Sequence, residues 1–273
     1  QAGGIGTRGP GERKLEYERR HIQQRVKHLK ADLERVRDAR RLRRERRSDV
    51  PVPQIALVGY TNVGKSTLLN TLTGDQKTVY ADDKLFATLD ATARRVRLPE
   101  GGWAVFTDTV GFIQRLPTTL VAAFRSTLEE VEAADVLLVV HDASSPELKE
   151  QRASVDATLA ELETAGIPRV ELLNKTDRLD AATRADLARE RPGAVFVSAA
   201  DGTGLDEALK KVEEALADRW LLRELDLPSA KAGLAPKLYE SAQVLGRAPK
   251  GDALRYRLRV TAENWKRLQS LIG

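Results

Sequence analysis

Between residues 54 and 221, short apolar runs rich in β-branched residues alternate with stretches of helical periodicity. The runs predict six strands: Gln54–Val58, Arg94–Leu98, Ala104–Thr107, Val136–His141, Arg169–Leu173 and Ala194–Val197. Helical patterns fall between most of them, at Lys65–Thr73, Thr119–Ala133, Pro146–Ala165, Ala181–Arg189 and Leu205–Leu221. Strands alternating with helices require a mostly parallel sheet covered on both faces. Glu100-Gly101-Gly102 predicts one antiparallel hairpin between the second and third strands. The expected fold class is α/β, with a doubly wound sheet.

The flanks read differently. Residues 1–11 contain five glycines and a proline, a composition for a loop with positive φ values. From Glu12 to Arg47 there is no Gly or Pro, which predicts one helix of roughly 54 Å at 1.5 Å per residue. Leu15, Ile22, Leu29 and Val36 recur every seven residues, with Val26 and Leu33 between them, a coiled-coil seam that needs a partner helix. Nothing else in the chain has a matching length, so a segment upstream of Gln1 is expected to supply it. Two prolines in Ser48–Pro53 break the helix. After Leu227-Pro228, the run Ala253–Val260 alternates Leu254, Tyr256, Leu258 and Val260 with Arg255, Arg257 and Arg259, and a helix capped by Thr261 runs to Ile272. The expected organisation is a loop (1–11), a long basic helix (12–50), a doubly wound α/β domain (51–222) and a small α/β domain (223–273).

Composition narrows the function. The chain has 273 residues and a net charge of +5, but residues 1–50 carry 16 Lys/Arg against 8 Asp/Glu. The remainder is slightly acidic, so the basic character belongs to one end. No apolar run approaches the ~20 residues of a membrane span. The absence of cysteine excludes a disulfide scaffold, a thiolate metal site and a cysteine nucleophile. Without an N-terminal apolar core of the signal-peptide kind, a cytoplasmic location is expected. A start at Gln1 and the absence of Met predict that an upstream part is missing.

The chemistry lies at predicted strand ends. Gly59-Tyr60-Thr61-Asn62-Val63-Gly64-Lys65-Ser66, followed by Thr67, fits GxxxxGK[ST] between a strand and a helix. Its backbone N–H groups would face a phosphate, Lys65 would reach the β/γ-phosphates and Ser66 would ligate Mg²⁺. Asp108-Thr109-Val110-Gly111 ends the third strand, 42 residues after Ser66. Asp108 can hold Mg²⁺ through water, and Gly111 can offer its N–H to a γ-phosphate. Asn174-Lys175-Thr176-Asp177 ends the fifth strand, where the Asp177 carboxylate can accept the ring N–H and exocyclic amine of guanine, a pair that adenine lacks. Ser198-Ala199, with Ala200 after it, ends the sixth and can present a backbone N–H to guanine O6. Four such segments in this order predict a GTP-binding fold with ligands outside the carboxyl ends of the strands.

These segments, together with Gly3–Glu12, GYTNVGKST (59–67), LFATLD (85–90) and DTVGFIQRLPTTLVAAFRSTLEEV (108–131), resemble the HflX family of ribosome-associated, translation-factor-related GTPases. The likeness is strong to about residue 220 and loose beyond. It implies that Thr88, within Phe86-Ala87-Thr88-Leu89-Asp90, completes Mg²⁺ coordination when the γ-phosphate is present. Ala91 stands where the family usually has Pro. The resemblance also implies an N-terminal domain and a first coiled-coil helix preceding this chain, with residues 3–12 as the tip. It implies GTP/GDP as ligands and the large ribosomal subunit with its RNA as partner, for a monomer partly bound to ribosomes that splits or rescues them.

Phe112 follows DxxG where many GTPases carry a water-orienting Gln, so slow unaided hydrolysis is expected. Related families with an asparagine at the Asn62 position use it to hold K⁺, which can stand in for an arginine finger; a turn-forming asparagine is the alternative. Arg115 reads as a solvated loop residue, with an arginine finger in cis as the alternative, and His141 as structural. The basic helix reads as an RNA-phosphate contact or a solvated face, and the Arg255/Arg257/Arg259 face as a second RNA contact or an ordinary outward strand face. Rival functions are an Obg-like or Era-like assembly GTPase, and a nucleotide-gated RNA-binding module with negligible turnover.

Overall fold

The computed structural model describes residues 52–74, 92–109, 111, 130–162 and 164–272. The predicted helix Glu12–Arg47, the loop before it and most of the predicted helix Thr119–Ala133 lie outside these residues.

The strands are β1 (Gln54–Gly59), β2 (Thr92–Arg97), β3 (Trp103–Asp108), β4 (Val136–Asp142), β5 (Arg169–Asn174) and β6 (Val195–Phe196). They form one sheet in the order β2-β3-β1-β4-β5-β6. β2 runs antiparallel to β3 and the other pairings are parallel. The helices are α1 (Lys65–Thr73), α2 (Leu148–Ala160), α3 (Ala181–Glu190) and α4 (Leu205–Leu216).

The central strands are buried on both faces because their side chains alternate between two cores. Ile55, Leu57, Val136, Leu138 and Val140 pack with Leu68 and Leu69 of α1 and the Leu205/Ala208/Val212/Leu216 stripe of α4. Ala56, Val58, Leu137 and Val139 face Val155 and Leu159 of α2. The stripe on α4 has the three-to-four spacing that keeps apolar residues on one helix face. α3 buries none of its residues and owes its start to Asp180, whose carboxylate accepts the Thr183 N–H at 2.7 Å. Because β1 lies between β3 and β4, the chain reverses its winding there, and the crevice for a ligand opens at the carboxyl end of β1.

A second, antiparallel sheet follows in the order β7-β9-β8. Its elements are β7 (Trp220–Pro228), a 3₁₀ segment (Ser229–Leu234), α5 (Ala235–Ser241), β8 (Gln243–Lys250), β9 (Ala253–Thr261) and α6 (Ala262–Ile272). One face, with Leu225, Leu227, Tyr256, Leu258 and Val260, packs on Leu238 and Leu268. Thr261 caps α6 as expected, its Oγ1 accepting the Asn264 N–H at 3.3 Å.

One sequence expectation is corrected here, and the arginine face of the second sheet gains its partners. The helix expected over Leu205–Leu221 ends at Leu216; Trp220 and Leu221 open β7, paired with Thr261 and Val260. The arginine face of β9 is held by carboxylates of the same chain. Arg255 pairs with Asp226 and Glu224, Arg257 with Glu100, and Arg259, only 2% exposed, with Glu213. The last two belong to a seam between the sheets. There Gln243 also accepts the Trp103 N–H and donates to the Trp103 carbonyl, both at 3.0 Å, and the Glu213 carboxylate accepts the Glu100 N–H at 2.9 Å.

Candidate functional site

The loop from Gly59 to Ser66 leaves β1 and enters α1 through Gly64, in the left-handed region at φ 95°. Only glycine suits this point, because a Cβ would also lie 2.5 Å from the Asn174 amide nitrogen. Asn62 is left-handed as well, at φ 60°. Tyr60, Thr61, Ser66 and Thr67 are partly exposed around the loop, while Val63 is buried beneath it. Lys65 is 7% exposed and its Nζ donates to the Gly59 carbonyl at 3.2 Å and the Tyr60 carbonyl at 2.9 Å. Burial lowers its pKa from 10.5 to about 8, against the opposing attraction of Asp108.

β3 brings Asp108 to the same place. The Ser66 hydroxyl donates to Asp108 Oδ2 at 2.6 Å. Thr109 anchors the strand end by donating to the Leu57 carbonyl at 2.5 Å. Gly111 lies directly against the loop: a Cβ there would be 2.8 Å from the Thr61 Cα and 3.0 Å from Lys65 Nζ. A hydroxyl and a carboxylate, both hard oxygen donors, suit a Mg²⁺ ion that keeps waters and takes its other ligands from phosphate. Among the described residues no cluster of three or more His, Asp or Glu forms an all-protein metal cage.

β5 and β6 supply the other wall. Asn174 is 1% exposed and ties three segments together: its Nδ2 donates to the Val63 carbonyl at 2.8 Å and its Oδ1 accepts the Ala199 N–H at 2.9 Å. Thr176 is buried, its Oγ1 donating to the Val197 carbonyl at 2.9 Å. The exposed Asp177 carboxylate is oriented by Ser198, whose hydroxyl donates to Oδ1 at 2.8 Å. The amides of Ser198 and Ala199 donate within the protein, to the Thr203 carbonyl and to Asn174. Exposed Ala200 comes next in this loop. Lys175, left-handed at φ 64°, reaches across to the Asn62 carbonyl at 2.7 Å.

The sequence reading missed Asp142, the last residue of β4, which pairs with Lys175 at 2.7 Å. Its place at the carboxyl end of a central strand was the available signal. His141 beside it is buried, 3.7 Å from Glu171, and burial together with nearby Arg152 lowers its pKa to about 4. It is a buried core residue, in keeping with a structural role. Phe86, Ala87, Thr88, Leu89, Asp90, Val110, Phe112 and Arg115 lie outside the described residues.

This fold, with its glycine loop and the four strand ends gathered around it, defines a P-loop protein of the GTPase class. Residues 54–175 match the family described as 50S ribosome-binding GTPase, and residues 1–47 match the GTP-binding GTPase middle region. GTPase HflX of Caldanaerobacter subterraneus subsp. tengcongensis is 43% identical over 270 residues, 99% of this chain and 61% of that protein. GTPase HflX of Escherichia coli is 39% identical over 271 residues, 98% of this chain and 63% of that protein. The chain is thus similar to HflX GTPases over nearly its whole length, and it spans about three-fifths of the length of these curated relatives. Among solved structures, a GTP-binding protein from the archaeon Sulfolobus solfataricus in complex with GDP has a TM-score of 0.52 at 27% identity, covering 75% of this chain and 61% of that one. Era in complex with MgGDPNP and a segment of 16S ribosomal RNA shares the fold, with a TM-score of 0.50 at 23% identity over 75% of each chain. Among the described residues no helix is long and apolar enough to cross a membrane.

Proposed function

We propose that this chain binds GTP and GDP at the carboxyl ends of β1, β3, β5 and β6 and hydrolyses GTP slowly. The observation that carries the reading is the oriented Asp177 carboxylate, held by Ser198 at 2.8 Å, in a wall that Asn174 bonds directly to the phosphate-type loop. A carboxylate so placed accepts two donors from guanine and none of matching geometry from adenine. The Ala200 N–H is the candidate for guanine O6. Lys65 and the Gly111 N–H stand where negative charge builds up as water attacks the γ-phosphate in line. Ser66 and Thr88 would hold Mg²⁺, with Asp108 acting through water, and the ion would supply charge neutralisation at the phosphates.

The same reading takes the protein to the ribosome. It binds the large subunit in its GTP state, splits or rescues ribosomes, and leaves after hydrolysis. Support comes from the similarity to HflX GTPases, from the match to 50S ribosome-binding GTPases and from the net positive charge of residues 1–50. Phe112 supplies no water-orienting group, so the subunit must complete the site. GTP turnover is therefore expected to rise on adding large subunits, and to be faster in K⁺ than in Na⁺ if Asn62 holds a K⁺ ion. Turnover that large subunits leave unchanged would favour a nucleotide-gated RNA-binding module instead. Equal rates in the two salts would remove the K⁺ role.

A further inference from the structure

We infer that Asp142 is a positioning residue for guanine-nucleotide binding: it holds Lys175, and through Lys175 the Asn62 carbonyl, so that the loop after β1 and the loop after β5 stay closed on each other. The inference rests on the nucleotide binding proposed above.

Among the described residues, Asn62 and Lys175 are the two non-glycine residues with positive φ. Such a conformation is disfavoured for an L-residue and persists where surrounding contacts enforce it. Here the two are bonded to each other, Lys175 Nζ donating to the Asn62 carbonyl at 2.7 Å. The same ammonium meets Asp142 Oδ2 at 2.7 Å, in a partly buried pair with side chains 21% and 16% exposed. Removing the carboxylate therefore frees the lysine that ties the two loops.

The two oxygens of Asp142 have separate tasks. Oδ1 accepts the Ser144 N–H at 3.0 Å and the Ser144 hydroxyl at 2.7 Å, closing the turn after β4. Oδ2 serves Lys175. The strand register places Asp142 beside Asn174, and the Ala143 N–H donates to the Asn174 carbonyl at 2.8 Å, so the turn cannot drift from the β5 loop. Burial acts to raise the Asp142 pKa, but the hydrogen bonds from Lys175 and Ser144 prevail and hold it below the ordinary carboxylate value.

The division of tasks gives a selective variant. Asp142→Asn can keep its oxygen on Ser144 but then turns an amide NH₂ toward the ammonium, losing a charge-assisted bond. Release of a fluorescent GDP analogue is measured by stopped flow, with thermal melting followed in parallel. D142N is expected to release GDP about tenfold faster than the unmodified chain, in the range for loss of a hydrogen bond between charged groups. Lys175→Met is expected to release it fast as well, and D142N combined with K175M no faster than K175M alone, since both break one tie. Ser144→Ala should match the unmodified chain.

D142N at the unmodified rate, or effects of D142N and K175M that multiply, overturns the assignment while leaving guanine binding intact. Failure of the unmodified chain to bind GDP overturns the underlying reading and this inference with it. If D142N does not fold, K175M and S144A carry the test. Fast release from K175M beside an unchanged S144A supports the tie, and equal rates in all three chains refute it.

Discussion

Raising the pH from 7 to 9 should weaken nucleotide binding through Lys65. In the free protein this lysine is buried against its own loop carbonyls, with a pKa of about 8. A bound phosphate favours the ammonium form and raises that pKa. Above pH 8 the free protein therefore holds fewer protons at Lys65 than the complex, binding takes up a proton, and affinity falls as pH rises. With a free pKa of about 8, and the phosphate keeping the lysine charged in the complex, the dissociation constant for GDP rises about tenfold across this interval, equivalent to about 1.4 kcal/mol. Fluorescence titration at several pH values measures it. Lys65→Met should bind more weakly and show no such slope, and ionisation of the nucleotide itself is common to both chains. A flat profile for the unmodified chain, or an equal slope in K65M, would refute a buried lysine charged by its ligand.

Asn174→Ala removes two buried hydrogen bonds and leaves the Val63 carbonyl and Ala199 N–H without their partner. At about 1–3 kcal/mol per stranded group, roughly 2–6 kcal/mol of stability is expected to go, read by chemical denaturation. A loss under 1 kcal/mol would mean the loops close without it. Arg259→Ala deprives Glu213 of a buried partner at the seam between the two sheets. A cost of about 3–5 kcal/mol is expected, and Arg259→Met, which keeps the aliphatic stem, should cost less. Equal midpoints for R259A and the unmodified chain would show that the seam contributes nothing.

How much of this was legible depended on where each signal resides. The first sheet was readable because its strands are apolar runs buried on both faces, and because Gly59, Gly64 and Lys65 form a pattern whose loop conformation leaves few residue choices. The second sheet was only half readable. β9 alternates clearly, but β7 (WLLRELDLP) follows an amphipathic helix and mixes leucines with charges. β8 (QVLGRAPK) contains Gly246 and Pro249 and a register shift, so its pairing with β9, and not its own pattern, makes it a strand. The partners of Arg257 and Arg259 were not legible because Glu100 and Glu213 are more than forty residues away in the chain. Asp142 was passed over for the same reason: its partner Lys175 is adjacent only once β4 and β5 pair. Asp177, in contrast, is proposed from its motif alone, and the structure adds the serine that orients it.

The central claim is that these strand ends read guanine. The most direct measurement is a competition titration in which GDP and ADP displace a fluorescent GDP analogue from the unmodified chain and from Asp177→Ala. The account predicts that GDP displaces the analogue from the unmodified chain at least a hundredfold better than ADP, from two hydrogen bonds to a charged acceptor, and that D177A largely loses the preference. Equal displacement by GDP and ADP, or a preference that survives in D177A, would contradict it.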